Sequence, residues 1–162
     1  MRHALLAAVV VEIVTLGAAQ MSAQFSTAPR GPENSGNQPS AAPAGARTVV
    51  VPANVDWTTT TLRVKRGQWL RFEVSGEIRL SFHDGDTATA AGAKNVRLSG
   101  KAPIPAISAG TLIGRVGNRP PFSIGGTAQP IQMAADGRLF LGVNDDHVPD
   151  NSGNYVVKVW EP

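Results

Sequence analysis

Between residues 69 and 80, in the stretch "WLRFEVSGEIRL", apolar and charged positions alternate strictly. Leu70, Phe72, Val74, Ile78 and Leu80 share one parity, while Arg71, Glu73, Glu77 and Arg79 share the other. A period of two is that of an extended strand with one face in a core and the other in water. The same β-branched and aromatic vocabulary recurs through "TVVVPANV", "WTTTTLRV", "TLIGRVG", "PFSIGG", "RLFLGV" and "NYVVKVW", separated by Gly, Pro, Asn and Asp. Residues 83–110 lose the pattern among Gly, Ala and Pro, which predicts a long excursion between strands. Asp136-Gly137 predicts a tight hairpin turn between "PIQM" and "RLFLGV". No helical stripe follows residue 47. About seven to nine short strands with a turn every 8 to 12 residues predict an all-β fold, an antiparallel β-sandwich.

The sandwich does not account for the whole chain. Residues 1–23 carry a basic start, an apolar run "ALLAAVVVEIVTLGAA" and small residues suited to cleavage, the pattern of a signal peptide. Glu12 inside the run argues against a stable membrane span. Residues 24–46 are rich in Pro, Gly, Ser and Ala without apolar periodicity and predict a disordered linker. The domain then spans 47–162, and its expected location is periplasmic or secreted. With no cysteine, its stability has to come from a core or from a bound ion rather than from disulfides. A net charge of +3, few aromatics and no basic helix give no support for nucleic-acid binding.

Chemistry concentrates in "LGVNDDHVPDNSGNY", residues 141–155, which brings Asp145, Asp146, Asp150 and Asn151 into one loop. The loop is not an EF-hand: counting from Asp145, the sixth position is Asp150 rather than Gly and the twelfth is Val156 rather than Glu. Two explanations stand at this level. One is a calcium site on a strand-to-strand loop; the other is a polar turn, for which Asp, Asn, Ser and Gly are also the right residues. Catalysis finds no foothold, since there is no cysteine nucleophile and no Gly-x-Ser-x-Gly elbow. Glu73 and Glu77 lie roughly 13 Å apart along a strand, too far for a glycosidase pair. "FHDGD", with His83, is imaginable as half of a metal site with His147, but two His without a third partner are a weak signal and Asp-Gly-Asp is ordinarily a turn.

"RLFLGVNDD" followed by "DNSGNYVVKV", with "AGTLIGRVGN" and "VDWTTTTLRVKRGQWLRFEVSGEI" upstream, resembles the bacterial galactose-binding lectins typified by the PA-I lectin. The resemblance covers roughly residues 48–160 and implies a small jelly-roll β-sandwich, galactose-binding-domain-like, in which one calcium bridges protein and sugar hydroxyls. It implies Asp145, Asp150 and Asn151 as side-chain ligands of calcium and contacts of the carbohydrate. It also implies a backbone carbonyl from His147 or Val148 and another near Leu80. Asp146 is either a further ligand or an acceptor behind them. The family's His and Gln sugar contacts have no counterpart in "GKAPIPAIS", so galactose specificity is not carried over; Lys101, Ser108 and Gln132 are the candidate polar contacts in their place. The expected function is calcium-dependent carbohydrate binding without enzymatic activity, as a monomer or an oligomer. The alternative is a structural or adhesion module of the cell envelope, stabilised by calcium without binding sugar.

Overall fold

The computed structural model describes residues 43–162; the expected signal peptide and residues 24–42 of the expected linker lie outside the described residues. The described residues form eleven strands and no α-helix. They are β1 (Arg47–Pro52), β2 (Thr58–Val64), β3 (Trp69–Ser75), β4 (Ile78–Arg79), β5 (Thr87–Thr89) and β6 (Gly92–Ala93). After the excursion come β7 (Leu112–Val116), β8 (Phe122–Ser123), β9 (Ile131–Gln132), β10 (Gly137–Val143) and β11 (Ser152–Trp160). Among the described residues no helix is long and apolar enough to cross a membrane.

Two antiparallel sheets make the sandwich. The smaller runs β2-β10-β7-β8; the larger runs β6-β5-β4-β11-β3-β9, with β1 also paired to β11. β11 is the spine of the larger sheet. Along one edge it pairs with β1, from Arg47 opposite Val159 to Pro52 opposite Asn154. Along the other it pairs first with β4, Ser152 opposite Arg79, and then with β3, Val156 opposite Ser75. The register is the same in both halves, so β3 and β4 are one strand interrupted at Gly76. There φ is +106°, and an added Cβ would lie 2.6 Å from the Asn154 carbonyl oxygen, so only glycine lets the two strands pass this closely.

The alternation at 69–80 places Leu70, Phe72, Ile78 and Leu80 in the core, against Tyr155, Val157 and Val159 of β11 and Leu139, Leu141 and Val143 of β10. Across the sheet surface Glu73 pairs with Lys158 at 2.7 Å and Glu77 with Lys94 at 2.8 Å, ordinary exposed ion pairs. Two buried polar groups fasten the core. The Tyr155 hydroxyl donates to the Gly110 carbonyl at 2.9 Å, and Thr60 donates to the Leu139 carbonyl at 2.6 Å. Of the three tryptophans, Trp69 is half exposed, as its parity predicts. Trp57 lies under the Arg115 guanidinium at 4.5 Å, with Phe140 also facing that cation at 5.1 Å.

Two local expectations are corrected. Asp136-Gly137 does not close a hairpin: β9 pairs with β3 in the larger sheet, whereas β10 pairs with β2 and β7 in the smaller. The segment is a crossing between sheets, and Asp136 accepts a hydrogen bond from the Arg66 N–H at 3.0 Å instead of capping its own turn. The excursion is also less irregular than its composition predicts. β5 and β6 extend the edge of the larger sheet there, and Leu98 bridges Ser108.

Within the excursion Val96 holds φ at +54° while remaining exposed. A β-branched residue in this region is strained by roughly 1–2 kcal/mol. Val96→Gly is therefore expected to raise stability by about 1 kcal/mol, read as a higher urea midpoint with unchanged slope. A midpoint that falls would show that the Val96 side chain contributes more than its backbone costs.

Candidate functional site

The loop after β10 is anchored before it becomes acidic. Asn144 is fully buried, and its side chain satisfies the backbone of a segment about forty residues away. Its Oδ1 accepts from the Ile104 N–H at 2.8 Å, and its Nδ2 faces the carbonyl oxygens of Ile104, Ile107 and Ser108 at 3.1 to 3.3 Å. The next residue, Asp145, is consequently pulled inward. Its side chain is 2% exposed. One carboxylate oxygen accepts from its neighbour's backbone, Asp146 N–H, at 2.9 Å, and the other from Asn151 Nδ2 at 2.9 Å. Burial pushes the Asp145 pKa up, against the opposing pull of those hydrogen bonds and of Arg97.

A single 3₁₀ turn, Val148–Asp150, with Pro149 inside it, returns the chain to β11. The Asn151 N–H closes it on the Val148 carbonyl at 3.1 Å. Asn151 is buried, and besides Asp145 its amide donates to the Ala53 carbonyl at 3.2 Å, which ties the loop to the end of β1. With both donor contacts made, Asn151 Oδ1 is left buried without a hydrogen-bond partner. Asp150 Oδ1 is in the same condition. Buried oxygens without a protein partner are uncommon in a folded protein and call for a donor, be it water, a hydroxyl or a cation.

Opposite them runs the end of β4. Extending the β4–β11 register by two residues sets Leu80 across from Asn151 and Ser81 across from Asp150. Arg79, Ser81, Phe82, Asp150, Asn151 and Ser152 enclose a cavity of about 240 Å³. Behind this wall, Ser81 donates to Asp86 Oδ2 at 2.7 Å, and Asp86 Oδ1 is a third buried oxygen with no partner. Arg97 reaches Asp86 at 3.2 Å and Asp145 at 3.9 Å.

The structure thus brings Asp145, Asp150 and Asn151 together with the Leu80 segment. It leaves other candidates outside. Asp146 is exposed, its carboxyl held below the usual range chiefly by the Ser99 hydroxyl. His147 is exposed on the loop, and His83 is exposed with its N–H on Ser81 Oγ at 3.2 Å. Gln132 donates to the Gly67 carbonyl at 3.2 Å, and Ser108 bonds to the backbone of Ala93 and Arg97, so both are engaged in structure. Arg97 and Asn144 are additions that the sequence did not suggest, and Asp86, read there as part of a turn, stands beside them. Among the described residues, no three His, Cys, Asp or Glu side chains converge in ligating geometry. Any cation shell here has to draw on amide and carbonyl oxygens, which is how calcium, unlike zinc, is commonly held. The donor set is compatible with that chemistry: it is all oxygen, and two of its members, Asp150 Oδ1 and Asn151 Oδ1, have no hydrogen-bond partner in the protein.

The fold is that of a lectin-like β-sandwich. It is shared with the N-terminal domain of EclA, a PllA-like lectin, at a TM-score of 0.58 and 23% identity, over 71% of this chain and 95% of that one. No family model matches the sequence, and no curated protein matches it.

Proposed function

We propose that this domain is a carbohydrate-binding module that holds its sugar through a calcium ion, and that it works in the periplasm or outside the cell. The observation that carries the proposal is the pair of buried, partnerless oxygens, Asp150 Oδ1 and Asn151 Oδ1, on residues that line an open cavity. Asp145, Asp150 and Asn151 would supply side-chain oxygens, the Leu80 region and the 147–148 stretch would supply carbonyls, and Asp86 is a further candidate. A bound calcium would offer coordination positions to two neighbouring hydroxyls in place of water. This chain's part is to fix the oxygens. Asn144 pins the loop from beneath, and the Asn151 amide orients the Asp145 carboxylate. The lectin-like fold of the EclA domain supports the carbohydrate half of the proposal.

The test is a glycan array probed with the domain in calcium and again in chelator. Glycan signals present in calcium and lost in chelator are the expected result. Calorimetric calcium binding with no glycan signal at any density would leave an ion-stabilised adhesion module, and no calcium binding would remove both.

A further inference from the structure

The cavity beside Asp150 and Asn151 has a wall of a different chemistry. Phe82 lines it, yet its residue surface is 86% exposed, the highest among the exposed large apolar side chains. It contributes nothing to the core cluster. A bare phenyl ring is an unusual neighbour for the polar side chains of Asp150, Asn151 and Ser152 on the same wall, because the first invites an apolar surface and the others a hydroxyl or a cation. Ligands that satisfy both at once carry hydroxyls on one edge and a patch of C–H bonds on a face. A sugar in its pyranose ring form is such a ligand, whereas an open-chain polyol offers the hydroxyls without a fixed C–H face. The cavity, about 240 Å³, is at the small end for ligand sites, which suits one ring rather than an extended chain.

We infer that Phe82 is the specificity-determining platform of the site, stacking on the C–H face of a single pyranose whose hydroxyls engage the Asp150–Asn151 side. The inference rests on the carbohydrate proposal above and adds what selects the ring. Arg79 stands on the same wall, its guanidinium on the fully exposed Asp84 at 2.9 Å. That ion pair is too exposed to hold Arg79 rigidly, so it leaves the platform open.

The experiment uses the full domain at saturating calcium. Methyl pyranosides of galactose, glucose, mannose and fucose are titrated calorimetrically beside sorbitol, which has the hydroxyls but no ring. Binding of at least one pyranoside above sorbitol is expected, with upfield shifts of its C–H protons in the NMR spectrum. Phe82→Ala should weaken that pyranoside about tenfold, leave calcium affinity within about twofold, and keep the melting temperature. Phe82→Trp should restore the affinity. A pyranoside that binds with calcium but equally well to Phe82→Ala overturns the platform and spares the carbohydrate proposal. Calcium binding with no pyranoside bound, or no calcium binding at all, overturns both.

Discussion

Asn144→Ala is expected to destabilise the domain by about 2 kcal/mol, because the change removes a fully buried side chain that bonds to part-buried backbone of the 104–108 segment. The Ile104 N–H loses its acceptor and the Ile107 carbonyl its donor, whereas the Ser108 carbonyl keeps the Thr111 hydroxyl and the Ile104 carbonyl keeps the Ile107 N–H. Urea unfolding gives the magnitude, and amide exchange gives the place: protection should fall first over residues 102–109 and at Asp145. A loss below about 1 kcal/mol, with exchange unchanged there, would show that the clip is incidental. Calcium affinity should fall as well, since the carboxylate next in sequence is no longer held inward.

Calcium at a hundredfold excess over its dissociation constant is expected to add about 2.7 kcal/mol of stability, or roughly 10 °C for a domain of this size. Asp145→Asn should abolish that increment. The same variant reports on the cation-free state. Burial raises the Asp145 pKa in the fold, so its ionisation opposes folding. Stability from this group is therefore lost as pH climbs from the unfolded value to the folded one, and regained on acidification through the same window. Subtracting the Asp145→Asn melting curve from the wild-type curve removes carboxyls that do not touch Asp145, such as Glu77, and leaves Asp145 together with the neighbouring Asp146 that bonds to it. The difference should shrink as pH falls toward the ordinary carboxylate range, and calcium should reverse its sign at neutral pH. A wild-type melting temperature indifferent to calcium would end the metal proposal.

The sequence made the sheet legible where one face meets water. Leu70 to Leu80 announced their strand because Arg71, Glu73, Glu77 and Arg79 fill the other face. Asp145, Asp150 and Asn151 were legible for another reason, their closeness along the chain. Asp86 and Arg97 were not, since the paired strands β4, β5 and β6 fold them toward the loop and no spacing in the sequence encodes that pairing. The role of Asn144 was not legible either, because it is set by partners far away in the chain. Asp136-Gly137 failed as a hairpin because local turn preference cannot say which sheet each flanking strand will join; the Arg66 N–H, across the chain, decided it.

The antiparallel pairing of β1 with β11 has a practical geometry. Arg47 lies opposite Val159, and Pro52 lies opposite Asn154, so the domain's entry and exit sit side by side at one pole. Asn151 and the cavity lie toward the other, roughly 26 Å away by the rise of the eight residues from Val159 back to Asn151. A bead, chip or fluorophore coupled beside Arg47 or Val159 would hold the domain by that pole and leave the Asn151 cavity facing away from it.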